Sequence, residues 1–298
     1  MSEMVKNRYD FIYLFDCQDG NPNGDPDADN APRIDPESFQ GLVTDVCLKR
    51  KIRDFVAMSK CVGDECEPGY DIFVMSGHSL ESRQKQPYDH LKITPKTNEK
   101  DQIKSARDWM CQNFFDVRTF GAVMSTTDFN CGQVRGPVQM TFARSIDRIF
   151  STEHGITRVA YTKEDKKQAS AGNTEMGRKH TIAYGLYKSH GFINAYLAPQ
   201  TGFTDADLAL LWDALGGMWD LDRSAARGLM TPRGLFVFRH DSALGEAPAH
   251  ELFERVTVKH REGVETPRSF ADYDVQVNDK DLPAGITLLE PLRRAARV

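Results

Sequence analysis

Hydrophobic and polar positions first alternate along residues 8–16, where Tyr9, Phe11, Tyr13 and Phe15 fall on one face and Ile12 and Leu14 on the other. Two apolar faces predict a central β-strand covered on both sides, at least in part. The pattern then breaks. Between Asp16 and Asn30, glycines, prolines, asparagines and aspartates crowd into a loop that no regular element accommodates. From Leu42 to Met58 the period becomes helical: Leu48, Ile52, Phe55 and Val56 form one apolar stripe, with Lys49, Arg50 and Arg53 on a neighbouring face. Residues 61–70 read as turns, Asp71–Met75 as a short strand, and about 76–101 as a polar excursion from the main core. A helix follows over about 101–115. Val138, Met140 and Phe142 alternate with Gln139, Thr141 and Ala143, which predicts a half-covered strand.

Residues 151–180 are charged, then small and flexible in type, and fit either a long projecting hairpin arm or a disordered loop. Strand signal returns at Thr181–Tyr187 and Gly191–Leu197. Thr204 is a good N-cap for a helix with Asp205 and Asp207 in its first turn and an apolar face of Leu208, Leu211, Trp212, Leu215 and Trp219. Gly234–Arg239 is a strand, and a less regular tail carries strand-like pieces near 255–260 and 272–277. This order suits an α+β fold of split βαβ, ferredoxin-like type, enlarged by insertions. No glycine-rich phosphate loop follows a strand.

Composition changes this picture in three respects. At 298 residues, 40% hydrophobic and 27% charged, the chain is long enough for one large domain or two ordinary ones. No window approaches the roughly 18 consecutive apolar residues of a membrane span, and Met1–Lys6 has no signal-peptide pattern, so a cytoplasmic location is expected. The six cysteines are then expected as free thiols. Cys61 and Cys66 also invite a zinc reading, but no second Cys or His pair stands at a suitable spacing.

A net charge of −5 argues against a protein that coats nucleic acid indiscriminately, but the basic residues are clustered. One cluster is Lys49-Arg50-Lys51 with Arg53, and Val46–Arg53 contains no acidic residue. The second is Arg178-Lys179, preceded by Lys163, Lys166 and Lys167; the third is Arg293, Arg294 and Arg297. These charges fit a solvated surface or a phosphate backbone. Arg118, Arg135 and Gln139 lie close to glycines, where a ligand backbone could approach. The Asp16–Asn30 loop fits a plain surface connection, or a shaped loop whose Asn side chains and backbone N–H groups meet phosphates or an adjacent subunit. Asp25, Asp27 and Asp29 alternate like the first ligands of an EF-hand loop, but the sixth loop position is Asn30 rather than Gly and the twelfth Pro36 rather than Glu, so no metal is expected.

Taken together, Asp19-Gly20-Asn21-Pro22-Asn23-Gly24-Asp25-Pro26, the run Gly41–Arg53, Arg135-Gly136-Pro137-Val138-Gln139 and Met176-Gly177-Arg178-Lys179-His180 resemble the backbone subunit of type I-C CRISPR Cascade, a member of the RAMP superfamily. The resemblance runs from about residue 7 to about residue 240. It implies one domain over 1–298: a modified RNA-recognition-motif palm, finger-like insertions at about 76–110 and a thumb β-hairpin at about 151–180. It further implies a non-catalytic scaffold without cofactor, whose copies assemble head-to-tail along CRISPR RNA and present its bases to a target DNA strand. Further partners implied are the guide-processing cap subunit, the large and small Cascade subunits and phage anti-CRISPR proteins. Carried onto this chain, Lys49, Arg50 and Arg53 would grip guide phosphates and Asn21 and Asn23 would shape the adjacent loop. Arg118, Arg135 and Gln139 would face the RNA backbone, Met176 would act as a wedge, and Arg178 and Lys179 would contact phosphates. The chain lacks the aromatic signature with which ordinary RNA-recognition motifs stack bases, so its sheet face is a poor candidate for base readout. Related type III subunits cut RNA with a loop aspartate, which makes Asp19, Asp25, Asp27 and Asp29 the basis of a rival reading as a metal-dependent RNA endonuclease.

Overall fold

The computed structural model describes residues 2–63, 65–95, 99–158 and 175–292. In chain order the first elements are β1 (Tyr9–Gly20), β2 (Gly24–Asp25), β3 (Ala31–Pro32), β4 (Gln40–Val43) and α1 (Asp45–Lys60). Then come β5 (Cys61–Val62), β6 (Glu65–Cys66), α2 (Leu80–Leu91), α3 (Lys100–Asn113) and α4 (Phe115–Phe120). The middle of the chain adds β7 (Gly121–Met124), β8 (Gly132–Arg135), β9 (Val138–Met140), β10 (Ala143–Arg148), β11 (Ser151–Arg158) and β12 (Glu175–Ile193). Last are α5 (Ala198–Thr201), α6 (Asp205–Leu221), β13 (Leu229–His240), α7 (Ala249–Phe253), β14 (Val256–His260), β15 (Tyr273–Val277) and β16 (Ile286–Leu289).

One antiparallel sheet organises them, in the order β16-β13-β1-β12-β10-β4, with β9 and β11 also paired to β12. β1 lies at its centre and is buried on both faces, as its doubly apolar pattern requires. Phe11, Tyr13 and Phe15 pack with Leu48, Ile52 and Val56 of α1 and with Leu211, Leu215 and Trp219 of α6. Phe15 stacks on Tyr187 at 5.4 Å, and the Tyr13 hydroxyl donates to Leu215 O at 2.8 Å. Ile12 and Leu14 face the other way and meet Phe236, Phe238, Leu252, Val256 and Ile286. The tail after residue 240 therefore closes the second sheet face.

That second face also holds two carboxylates. Asp10 accepts from Arg8 at 2.9 Å and lies 2.9 Å from His240 Nε2. Asp16 accepts from Tyr184 at 2.9 Å and Arg233 at 2.7 Å. Burial raises the Asp16 pKa, and the Arg233 bond opposes that rise.

Several local expectations are corrected by tertiary contacts. Helix α1 starts at Asp45 rather than Leu42, because Gln40–Val43 pairs with β10 and Thr44 caps the helix by accepting from Cys47 N at 3.2 Å. Asp71–Met75 is not a strand: the Phe73 and Val74 amides donate to the Asp116 carboxylate at 2.8 and 3.1 Å instead of to a neighbouring strand. The polar segment after Met75 folds into α2, capped by Ser79, and packs with α3 around Phe73, Tyr88, Met110 and Phe114 as a separate small core. The 138–142 alternation breaks at Thr141, which bonds Ser189 and His190, so Ala143 turns inward and Phe142 outward. Thr181–Tyr187 and Gly191–Leu197 belong to one strand that ends at Ile193. Cys61 and Cys66 are disulfide-bonded rather than free, because the β5–β6 hairpin sets them directly opposite one another with Cα atoms 3.9 Å apart. No helix among the described residues is long and apolar enough to cross a membrane.

Candidate nucleic-acid interface

The loop after β1 is pinned at both ends. A Cβ on Gly20 would lie 2.0 Å from Arg227 O, and one on Gly228, whose φ is +62°, would lie 2.3 Å from Gln18 O. Only glycines allow this approach, which lets Asn21 N donate to Ala226 O at 2.8 Å and Arg227 reach Pro22 O at 2.7 Å. Asn21 is buried and donates to Asn30 O at 2.6 Å. Asn23 accepts from both the amide and the hydroxyl of Thr44 at 3.0 Å, which ties the loop to the N-terminus of α1. Both asparagines thus act on the loop itself.

The aspartates of the loop are spread along it. Asp25 accepts from Asp27 N and pairs with Arg33 at 3.4 Å. Asp29, in the left-handed region, lies 3.7 Å from His180 of β12, which brings the loop to the root of the β11–β12 pair. Among the described residues, no group of three or more His, Cys, Asp or Glu side chains is arranged to hold a metal ion.

The basic face of α1 departs from the sequence expectation. Lys49 pairs with Asp45 at 2.9 Å, Arg50 with Asp54 at 3.0 Å and Arg53 with Asp116 at 2.7 Å. The acid-free stretch ends one residue before Asp54, and Asp116 arrives from α4, so the face is not left unneutralised. Arg53 is nearly enclosed and Asp116 fully so. Arg118 is enclosed as well. It meets both Asp207 oxygens, at 3.1 and 2.7 Å, reaches Gly69 O, and lies over the rings of Tyr70 and Phe115. Arg53 and Arg118 therefore join structural elements and present no guanidinium to a surface ligand.

The remaining residues form two groups. Around Phe120, Lys49 and Arg53 flank the ring at 5.8 and 5.4 Å. Phe120 O accepts from Gln139 at 3.4 Å, and the next residue, Gly121, pairs with Arg135. A Cβ on Gly136 would fall 2.3 Å from Gly121 N, so the glycines permit this convergence of α1 with the β8–β9 run. Arg135 is exposed and has no ion-pair partner among the described residues.

The second group is the antiparallel pair of β11 with the start of β12, from Ser151↔Ile182 to Arg158↔Glu175. β11 is exposed throughout. Met176 is 80% exposed, Arg178 pairs with Glu153 at 3.2 Å, and Lys179 has no ion-pair partner among the described residues. Residues 159–174, with Lys163, Lys166 and Lys167, lie outside the described residues, as do Arg293, Arg294 and Arg297.

Periodicity does not single out Lys188 and His190. Their signal is two cationic residue types interrupting the otherwise apolar pattern of a long central strand. Both stand on the tail-covered sheet face, opposite Leu14 and Ile12 of β1.

These features define a mixed α/β protein built on one large antiparallel sheet, with an exposed basic strand pair at its edge. The family described as "CRISPR-associated protein Cas7" matches residues 7–278, and the chain belongs to that family. A relative named "CRISPR-associated protein Cas7" from Haloferax volcanii is 29% identical over 231 residues, which is 70% of this chain and 64% of the relative. The chain thus spans less than two thirds of the length of that relative. Among solved structures, a chain of "CRISPR RNA-guided surveillance complex, pre-nicking" is similar at 14% identity and TM-score 0.49, covering 78% of each chain. A chain of "Type III-B Cmr-beta bound to cognate target RNA" is similar at 11% identity and TM-score 0.41, covering 78% of this chain and 61% of that one.

Proposed function

We propose that this chain is a non-catalytic, sequence-independent RNA-binding backbone subunit of a CRISPR effector complex of type I-C. Copies assemble head-to-tail along the guide, hold its phosphates and leave base edges free to pair with a target DNA strand. Sequence specificity is thereby delegated to base pairing. The sheet with α1 and α6 is the RNA-recognition-motif palm, the α2–α3 core the fingers, and the β11–β12 arm the thumb. Other Cascade subunits cap the filament, whose heterologous contacts let the RNA set its length.

The observation that carries the reading is the β11–β12 pair, exposed along β11 and bearing a wholly outward methionine beside Arg178 and Lys179. A core-forming hairpin would turn such a methionine inward. Arg135, Gln139 and Lys49 around Phe120 supply a second contact region, and the pinned loop with Asn21 and Asn23 holds the edge between them. Arg53 and Arg118 are left out because their charges are already satisfied inside.

The test is co-expression of the full chain with a CRISPR array or a scrambled array, followed by size-exclusion chromatography at paired protein and nucleic-acid absorbance. The Arg135→Glu/Lys179→Glu variant is run alongside. Wild type should form a large RNA-rich particle with intact guide. The variant should bind more weakly by a similar factor for every guide sequence, with the salt slope reduced by about 0.7 for each phosphate no longer neutralised. Weakening confined to one guide sequence would refute the reading. Guide fragmentation abolished by Asp→Ala changes at residues 19–29 would establish the nuclease in its place.

A further inference from the structure

The tail that closes the second sheet face leaves a groove of about 590 Å³ between β12 on one side and α7 with β14 on the other. Its floor carries Lys188 and His190. The His190 ring lies 4.5 Å from the Phe253 ring, and the two planes are tilted by 33°. His250 of α7 and Lys259 of β14 line the walls, and Glu254 is the one carboxylate among the lining residues.

Lys188 is half-buried, and its ammonium makes no hydrogen bond or ion pair with any described residue. Burial lowers its pKa, and burial followed by the charge of Lys188 lowers that of His190. A partly desolvated ammonium that pairs with no carboxylate among the described residues destabilises the free chain, and an anion entering the groove would relieve that cost.

We propose that this groove is a second polynucleotide-binding site, which takes the phosphodiester backbone of a single strand at Lys188 and lays a base against the His190–Phe253 rings. The flanking Lys259 adds a second cation along the strand, and His250 adds a ring nitrogen that can hydrogen-bond a phosphate or base. A protein carboxylate would satisfy Lys188 equally well but leave the rings uncovered. A nucleotide brings phosphate and planar base together, the combination that single-strand grooves use. The site lies on the sheet face opposite α1 and α6, and it does not depend on the β11–β12 arm holding a guide.

The experiment measures anisotropy of a short fluorescein-labelled oligouridine with the full chain across a salt series. It compares wild type, Arg135→Glu/Lys179→Glu, and that double variant with Lys188→Met or Lys188→Arg. A 4-thiouridine oligonucleotide is crosslinked in parallel and the labelled peptides mapped. In the double-variant background, Lys188→Met should weaken residual binding about tenfold and flatten the salt slope by about 0.7. Lys188→Arg should retain binding, and crosslinks should fall within 250–259. Unchanged affinity of Lys188→Met, or crosslinks confined to 151–182, would overturn the proposal. So would competition by a glutamate-rich peptide as effective as that by unlabelled oligouridine. If Arg135→Glu/Lys179→Glu leaves guide binding intact while Lys188→Met abolishes it, the assigned guide surface fails and the groove stands.

Discussion

Replacing Arg118 by Met separates an internal strut from a ligand contact. The guanidinium bonds both oxygens of Asp207 at 3.1 and 2.7 Å, bonds Gly69 O, and lies 5.1 and 5.5 Å from the ring centroids of Tyr70 and Phe115. It therefore joins α4, the 69–70 turn and the first turn of α6. Methionine fills much of the volume but leaves the Asp207 carboxylate, 1% exposed, with its bonds to the amide and hydroxyl of Thr204 among the described residues. Removing one partner of such a buried pair costs about 3–5 kcal/mol, because the remaining charge stays desolvated. Against a typical domain stability of about 5–15 kcal/mol, that is a large fraction.

Urea unfolding followed by tryptophan fluorescence is well placed to read it, since Trp212 and Trp219 lie on α6 with Asp207. The midpoint should fall with the denaturant slope unchanged. Asp207→Asn added to Arg118→Met should recover part of the stability, because the unpaired charge is gone. A destabilisation below about 1 kcal/mol, accompanied by weaker RNA binding in the folded variant, would refute the reasoning and return Arg118 to the interface.

Two further outcomes follow from single contacts. Asn23→Ala removes the acceptor of the Thr44 amide and hydroxyl, so the loop after β1, Asn21–Asn30, should become open to limited proteolysis at a stability cost of about 1 kcal/mol. Burial pushes the Cys17 and Cys131 thiols up to about 12 and Cys111 to about 11, from the ordinary value of 9.0, so none should alkylate at pH 8 in the folded chain. Because the folded values are raised, the stability these thiols contribute is fully present below pH 9.0 and is lost as the pH climbs through about 11 to about 12; Cys17→Ala should flatten that alkaline decline in a pH series of urea midpoints.

Much of the scaffold was legible in the chain itself. The doubly apolar run of β1, the stripe of α1, the Thr204 cap of α6 and the paired segments of β14 and β15 each depend on residues within a few positions of one another. Periodicity and capping operate over that range. The same locality explains the failures at Asp71–Met75, where a carboxylate about 40 residues on takes the strand-forming amides, and at Phe142, where a contact with β12 shifts the register.

The candidate site divides along the same line. The clustering of Lys49, Arg50 and Arg53, the glycine-marked run at Arg135–Gln139 and the polar loop after β1 are properties of the sequence alone. Which of those charges faces solvent is not. Asp116 lies 63 positions from Arg53 and Asp207 lies 89 from Arg118, so only the folded packing of α4 against α1 and α6 decides that both arginines are consumed inside. That Arg135, Lys179 and Lys188 find no ion-pair partner among the described residues was decided at the same level. A charge is silenced or presented by what the chain brings to it from far away, and that is a consequence of tertiary topology.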